Sequence, residues 1–466
     1  MNDPRDADPV EPAPPEHEAA ELEGAELEGA DDSPVGLEVE VDVGAVAHGG
    51  HCVARHEGRV LFVRHALPGE RVVARVTEGA PGDSYWRADA VRVLTASPDR
   101  VEPPCPWARP GLCGGCDWQH AALPAQRALK AAVVTEQLSR LAGLDVAVEV
   151  EAVEGPGTDA HAGLGWRTRV QYAVGDDARA GLRQHRSRTV VDIDWCRIAH
   201  PRVRELGVPG LRWPHLGAAE VIAPAAGEDR LLLLTPHASS GRRTPRPPAL
   251  PAPASVAVRT DEGVERVSGR TWVAEDVELP GGPRTFRVTG SGFWQVHPGA
   301  ARTLSAAALE AAAPAPGETA VDLYAGVGLF AAALAQAVGE DGHVVAVEAD
   351  ARATADARRN LRDLAAVRIV TARVDRALAG AGLGLQRADV VVLDPPRTGA
   401  KKDVVARIAA LAPRVVVYVA CDPAALARDV ATFARHGYVL DGVRAFDLFP
   451  QTQHVECVAR LVPAGA

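Results

Sequence analysis

TAVDLYAGVGLFAAALAQAVGEDGHVVAVE (residues 319–348) decides the fold. A short apolar run ends in Asp322, the glycines 326 and 328 follow, and a helical stretch rich in Ala and Leu then leads to a second apolar run ending in Glu348. Near-continuous apolar strands separated by amphipathic helices predict a parallel sheet covered on both faces. The pattern repeats downstream in VRIVTA, in ADVVVLDPP and in RVVVYVA, which is followed by AALARDVATFARH. Two last strands, around 438–446 and 454–461, have no helix between them and are expected to pair antiparallel.

Glycines at a strand-to-helix turn allow close approach of a ligand to the backbone, and the helix N-terminus supplies free N–H groups. Glu348, twenty residues beyond Gly328, stands where a carboxylate accepts two ribose hydroxyls. The dinucleotide pattern G-x-G-x-x-G fails because Ala331 replaces its third glycine. Helices on both faces and a terminal β-hairpin give the outline of a class I (Rossmann-like) methyltransferase domain, an α/β fold.

Two more strand ends face the same crevice. Asp394-Pro395-Pro396-Arg397 ends one; an aromatic after D-P-P would stack on a base and suit amino-group methylation, and Arg397 stands there instead. Ala420-Cys421-Asp422-Pro423 ends the other, with a helix N-terminus expected to stabilise a thiolate. Methylation of a pyrimidine carbon needs such a nucleophile: addition at C6 creates an enolate whose C5 attacks a methyl sulfonium, and a base then removes the C5 proton. Glu456 is the candidate base. An amino-methyltransferase acting on nucleic acid or protein, and a catalytically silent RNA-binding protein, are the alternatives.

Residues 37–94 read as short strands punctuated by Gly49-Gly50 and Pro68-Gly69, an OB-like β-barrel. A helix follows the cysteine segment, with Val134, Leu138 and Leu141 expected on one face. The four regions are 1–34, a disordered acidic tail; 35–96, the barrel; 97–285, an α+β central domain with an exposed insertion at 239–255; and 286–466, the methyltransferase domain.

The 466 residues carry a net charge of −11, but the first 34 hold twelve Asp and Glu against one Arg, so the remainder is neutral with 49 charges of each sign. An acidic total therefore does not exclude a nucleic-acid partner. Arg167, Arg169, Arg179, Arg183, Arg186 and Arg188, interleaved with Trp166, Tyr172 and Trp195, read as an RNA-facing surface. No apolar run approaches the roughly 20 residues of a membrane span, and no secretion signal opens the chain. A cytoplasmic monomer acting on RNA is expected.

Cys105, Cys113 and Cys116 form C-x7-C-x2-C, and Cys196 follows eighty residues later. In a reducing compartment this spacing points to metal, with an iron–sulfur cluster or zinc as ligand-compatible choices. Cys52 has no evident partner, and Cys457 reads as a packed strand residue.

The blocks SGFWQVH (291–297), DLYAGVGLF (322–330), LDPPRTG (393–399), ACDPAALARD (420–429) and FPQTQHVECVARL (449–461), in this order, closely resemble the RNA uracil-C5 methyltransferases, which make 5-methyluridine in tRNA and ribosomal RNA. The resemblance implies Cys421 as nucleophile, Glu456 as base, and Gln295, Tyr324, Glu348 and Asp394 as S-adenosylmethionine contacts. It implies a TRAM domain at 37–94 and, from the ribosomal-RNA members, a [4Fe-4S] cluster on the four cysteines. Where members often have Ser-Cys-Asn-Pro, this chain has Ala-Cys-Asp-Pro.

Overall fold

A computed structural model describes residues 33–238, 246–379 and 382–465. Nearly all of the acidic tail and the first part of the 239–255 insertion lie outside the described residues. The insertion ends sooner than expected, because Ser255 already pairs with Leu231 in a sheet.

The C-terminal sheet has eight strands in the order Val367–Thr371, His343–Glu348, Thr319–Leu323, Val390–Leu393, Val415–Ala420, Glu456–Pro463, Tyr438–Asp447 and Val150–Ala152. The first five are mutually parallel. Glu456–Pro463 pairs antiparallel with both of its neighbours, as expected of the terminal hairpin. Val390–Leu393 and Val415–Ala420 are buried throughout, which is why their sequences are continuous rather than alternating. Val321, Leu323, Val391 and Leu393 pack into the core on one face, and Ala320, Val344, Val390 and Val392 into the core on the other. Each such Val or Leu contributes about 1.5–3 kcal/mol when fully buried. Thr319–Leu323 has its successor strand on one side and Val390–Leu393 on the other, so the strand order reverses there and opens a crevice at the carboxyl ends.

Segments 123–152 and 272–289, grouped by the sequence reading with the central region or its border, complete this unit. The helix Leu123–Gln137 continues into a π-helical turn, Leu138–Ala142. Val134 and Leu138 enter the core, but Leu141 is 39% exposed. The π turn is the reason: its wider winding rotates Leu141 off the stripe that 3.6-residue spacing predicts. The hairpin Trp272–Leu279 and Gly282–Thr289 docks on the helix Ala351–Asn360. There the Arg287 N–H donates to Asn360 Oδ1 (2.9 Å) and the Thr289 N–H to Asp356 Oδ2 (2.8 Å).

The N-terminal strands form a curled half-barrel in the order Glu38–Asp42, Arg71–Glu78, Tyr85–Thr95, Arg59–Arg64 and Cys52–His56. It is not wholly antiparallel: Arg59–Arg64 and Tyr85–Thr95 run parallel. Register shifts between Arg71–Glu78 and Tyr85–Thr95 bend the sheet. A seven-stranded sheet spanning residues 169–268 lies between the two end units in sequence. Among the described residues, no helix is long and apolar enough to cross a membrane.

Candidate active site and cysteine cavity

The glycine turn is built on left-handed backbone at Tyr324 (φ 65°), Gly326 (φ 55°) and Gly328 (φ 95°). A Cβ on Gly328 would come within 2.6 Å of Leu361, whereas one on Gly326 would meet nothing. Open space above Gly326 is what a bound ligand requires. The Gly326 N–H donates to Glu348 Oε2 (3.0 Å) and the Asp350 N–H to Glu348 Oε1 (2.7 Å), which fixes that carboxylate at the strand tip. Asp322 is fully buried; its Oδ2 accepts the Ala331 N–H (2.8 Å), while Oδ1 has no partner. Burial, with Asp394 and Glu348 adding to it, holds the Asp322 carboxyl well above the ordinary carboxylate range. Burial also pushes Asp394 up to about 7. An orphaned oxygen among crowded carboxyls is a site that favours a cationic donor.

Cys421 follows the strand Val415–Ala420. Ala420 pairs with Cys457, so the antiparallel register brings Glu456 opposite Cys421. Burial pushes the Cys421 thiol up to about 12, with Glu456, Asp394 and Asp422 raising it further and Arg397 opposing. Burial thus opposes the thiolate that the helix N-terminus is expected to favour. Asp422 caps the helix Pro423–Arg435, its Oδ1 accepting the Ala425 N–H (2.7 Å). Glu456 is 3% exposed, and burial followed by repulsion from Asp394 holds its carboxyl well above its usual range. The Cys421 thiol and the Glu456 and Asp394 carboxyls all resist ionisation and form one electrostatically linked group. Cys457 is fully buried in the strand, as expected.

Gln295 is half-buried in a narrow crevice with Arg169, Glu275 and Trp294, and makes no hydrogen bond to Asp394 among the described residues. Tyr324 is half-buried at the glycine turn, its phenol pushed up to about 12 by burial and Asp429.

Several residues that hold this group escaped the sequence reading. Asp429 Oδ2 accepts from the Tyr418 hydroxyl and from the Ala400 N–H (both 2.7 Å), fixing the loop after Asp394. Lys130 is fully buried; its Nζ donates to Asp447 Oδ1 (2.5 Å) and to the Phe449 carbonyl (3.0 Å). Gln126 donates from Nε2 to Gln451 Oε1 (3.0 Å) and accepts the Gln451 N–H (2.8 Å). Asp117 Oδ2 accepts the Gln453 N–H (3.2 Å). All three clamp the loop that leads into Glu456. A buried Gln or Lys on a helix would have been the signal, but partners more than 300 residues away leave no trace in local spacing.

A TRAM domain model matches residues 32–91, and a tRNA (uracil-5-)-methyltransferase model matches residues 263–462. A Streptomyces avermitilis protein, named an uncharacterized RNA methyltransferase, is 51% identical over 440 residues, covering 92% of this chain and 99% of its own. A Streptomyces coelicolor protein of the same designation is 52% identical, with 93% and 94% covered. The chain belongs to the RNA uracil-C5 methyltransferases. In fold, this methyltransferase matches the Pyrococcus abyssi tRNA (uracil-54, C5)-methyltransferase, solved with S-adenosyl-L-homocysteine. That match has a TM-score of 0.64 at 23% identity and covers 91% of this chain and 100% of the other.

Away from the crevice, the methyltransferase brings Cys105, Cys113, Cys116 and Cys196 to the wall of one cavity of about 380 Å³, rimmed by Arg167, Arg183 and Arg186. Among the described residues, no three His, Cys, Asp or Glu side chains are gathered as ligands of a single metal ion. Burial raises all four thiols, Cys113 to about 11. The aromatic part of the expected RNA face is corrected. Trp166 and Tyr172 are 2% and 1% exposed, and Trp166 stacks on His297 and meets Phe449 edge-on. Trp195 remains half-buried, with the Arg197 and Arg204 guanidinium groups 3.6 and 4.3 Å from its ring centroids. Of the arginines, Arg169 is tied to Glu220 and Arg179 to Asp192, while Arg183 and Arg188 are exposed.

Proposed function

We propose that this enzyme converts a uridine in structured RNA to 5-methyluridine through a covalent bond between Cys421 Sγ and C6 of the base. The observation that carries the reading is the strand register that sets Cys421 opposite Glu456, with Asp394 electrostatically linked to both. Cys421 gives its proton to water and its sulfur adds to C6; C5 takes the methyl group of the donor sulfonium, which leaves as a neutral thioether; Glu456, in its ionised form, takes the C5 proton; the Sγ–C6 bond breaks and the thiolate is restored. The net change is replacement of one C5 hydrogen by methyl with release of one proton. A carboxylate with a raised proton affinity is a stronger base, which suits Glu456 to the third step.

S-adenosylmethionine, when bound, supplies the methyl group and a positive charge. Gln295, Tyr324, Glu348 and Asp394 are its proposed contacts. Glu348 already accepts two backbone N–H groups, but an ionised carboxylate has about four acceptor sites, enough for two ribose hydroxyls as well. The orphaned Asp322 Oδ1 offers an acceptor for an ammonium.

The four cysteines are proposed to hold [4Fe-4S]. The observation behind this is the one cavity that all four thiols line. Because the thiols resist ionisation, the metal must displace their protons. The same cysteine pattern favours ribosomal RNA as substrate, with tRNA second, and a monomer in the cytoplasm as the working form. Incubation with S-adenosylmethionine and RNA containing 5-fluorouridine tests the chemistry. A trapped complex that survives denaturant is expected, since fluorine is not abstracted as a proton. Trapping that persists in Cys421→Ala, or N-methyl products, would refute it.

A further inference from the structure

The turn after Cys421 carries a charge that its capping role does not need. Asp422 caps the following helix, and Asn would cap equally well. Its second oxygen, Oδ2, lies 3.2 Å from Nε2 of His48, in the half-barrel loop between Asp42 and Cys52. The same loop touches the other side of the site. Gly50, at φ +82°, lies so close to Gln453 that a Cβ would come within 2.5 Å of the Gln453 Cβ. The Trp118 Nε1–H donates to the Gly50 carbonyl (3.0 Å). Gln453 stands three residues before Glu456. One loop of the N-terminal domain thus seats on the segment bearing Cys421 and on the segment bearing Glu456.

We propose that the loop 47–50 is part of the active site, with His48 a positioning residue that holds the Cys421 turn and offsets the Asp422 charge beside the thiol. The inference rests on Cys421 acting as nucleophile. The groups that face His48 are Asp422 and Arg428 on the helix Pro423–Arg435, and Glu136 on the helix Leu123–Gln137. The hydrogen bond that His48 donates to Asp422 raises the imidazole above its ordinary value, while burial and Arg428 work against it. With His48 gone, the Asp422 carboxylate stands uncompensated next to Cys421 and the thiol ionises less. With both charges gone, the penalty disappears.

The test compares full-length wild type, His48→Ala, Asp422→Asn and the double variant. The readout is the rate of Cys421 alkylation by iodoacetamide against pH, followed by peptide mass spectrometry and accompanied by thermal midpoints. Thiolate fraction falls as the thiol is pushed further up, so His48→Ala is expected to be roughly three- to tenfold slower at neutral pH, with its profile displaced upward. Asp422→Asn is expected to be no slower than wild type, and the double variant to match Asp422→Asn. An unchanged rate and profile in His48→Ala, or a double variant as slow as His48→Ala, would overturn the proposal. Alkylation needs neither RNA nor methyl donor. Failure of wild type to trap 5-fluorouridine RNA therefore counts against the proposed reaction and leaves the alkylation comparison readable.

Discussion

Replacing Lys130 by Met should destabilise the C-terminal unit far more than an ordinary surface substitution. The ammonium is fully buried and paired with Asp447, which is itself nearly so, with side-chain exposures of 0% and 2%. Removing one partner leaves a buried charge uncompensated, which costs about 3–5 kcal/mol. The Phe449 carbonyl loses a donor as well. For a unit of this size each kcal/mol moves the midpoint by about 2–4 °C, so a fall of roughly 6–20 °C is expected. The assay is thermal unfolding followed by tryptophan fluorescence, with methyl transfer measured at a temperature where the variant is folded. The double variant Lys130→Met with Asp447→Leu removes both charges and should recover most of the loss, since a hydrophobic pair of similar volume is often as stable as a buried ion pair. A single variant within about 1 kcal/mol of wild type, or a double variant no better than the single, would refute the reasoning.

Glu456→Gln should still add to C6 and accept methyl but fail to release product, so a denaturant-stable adduct accumulates on ordinary uridine RNA. Rapid turnover without adduct would count against Glu456 as the base. Asp394 holds its proton in the folded state up to about 7, above the unfolded value near 4. It binds more protons folded than unfolded in that window, so its contribution to stability declines as pH rises from about 4 to about 7. Asp394→Asn should therefore raise the midpoint at pH 8 by an amount equivalent to at most about 4 kcal/mol, roughly three pH units at about 1.4 kcal/mol each, while methyl transfer is lost; a lower midpoint at pH 8 would contradict this. Cys116→Ser should remove iron and sulfide from purified protein while leaving S-adenosylmethionine binding intact, as measured by metal analysis and calorimetry. Arg183→Ala with Arg188→Ala should weaken RNA binding and reduce the slope of log affinity against log salt by about 1.4, two contacts at about 0.7 each for single strands. An unchanged slope would remove both from the interface.

Much of the catalytic unit was legible because its signals are local. Continuous apolar runs such as VVVL at 390–393 and VVVYVA at 415–420 announce buried parallel strands, and the turns after them place Asp394 and Cys421 at one edge. What failed depended on distant partners or altered winding. Leu141 left its stripe because the helix ends in a π turn. Trp166 and Tyr172 looked like an RNA surface only because arginines flank them, and burial against His297 and Phe449 for Trp166 is invisible to spacing. At Cys421 burial pushes the thiol up, against the effect expected of the helix N-terminus, and burial of that depth is invisible to local spacing. Glu456 was placed correctly as a strand carboxyl, yet the clamp from Gln126, Lys130 and Asp117 joins segments hundreds of residues apart.

The acidic wall formed by Asp322, Glu348 and Asp394 also bears on how a catalytic cycle ends. In the proposed site a sulfonium draws the neighbouring carboxyls into their ionised form and is attracted by them, whereas a thioether of nearly the same shape carries no charge on sulfur and forfeits that attraction. On that proposal the spent donor leaves more readily than the fresh one, and the enclosure would discriminate between two molecules that differ by a single carbon. Added salt should erode that preference little, because ions in bulk water screen an interior contact weakly.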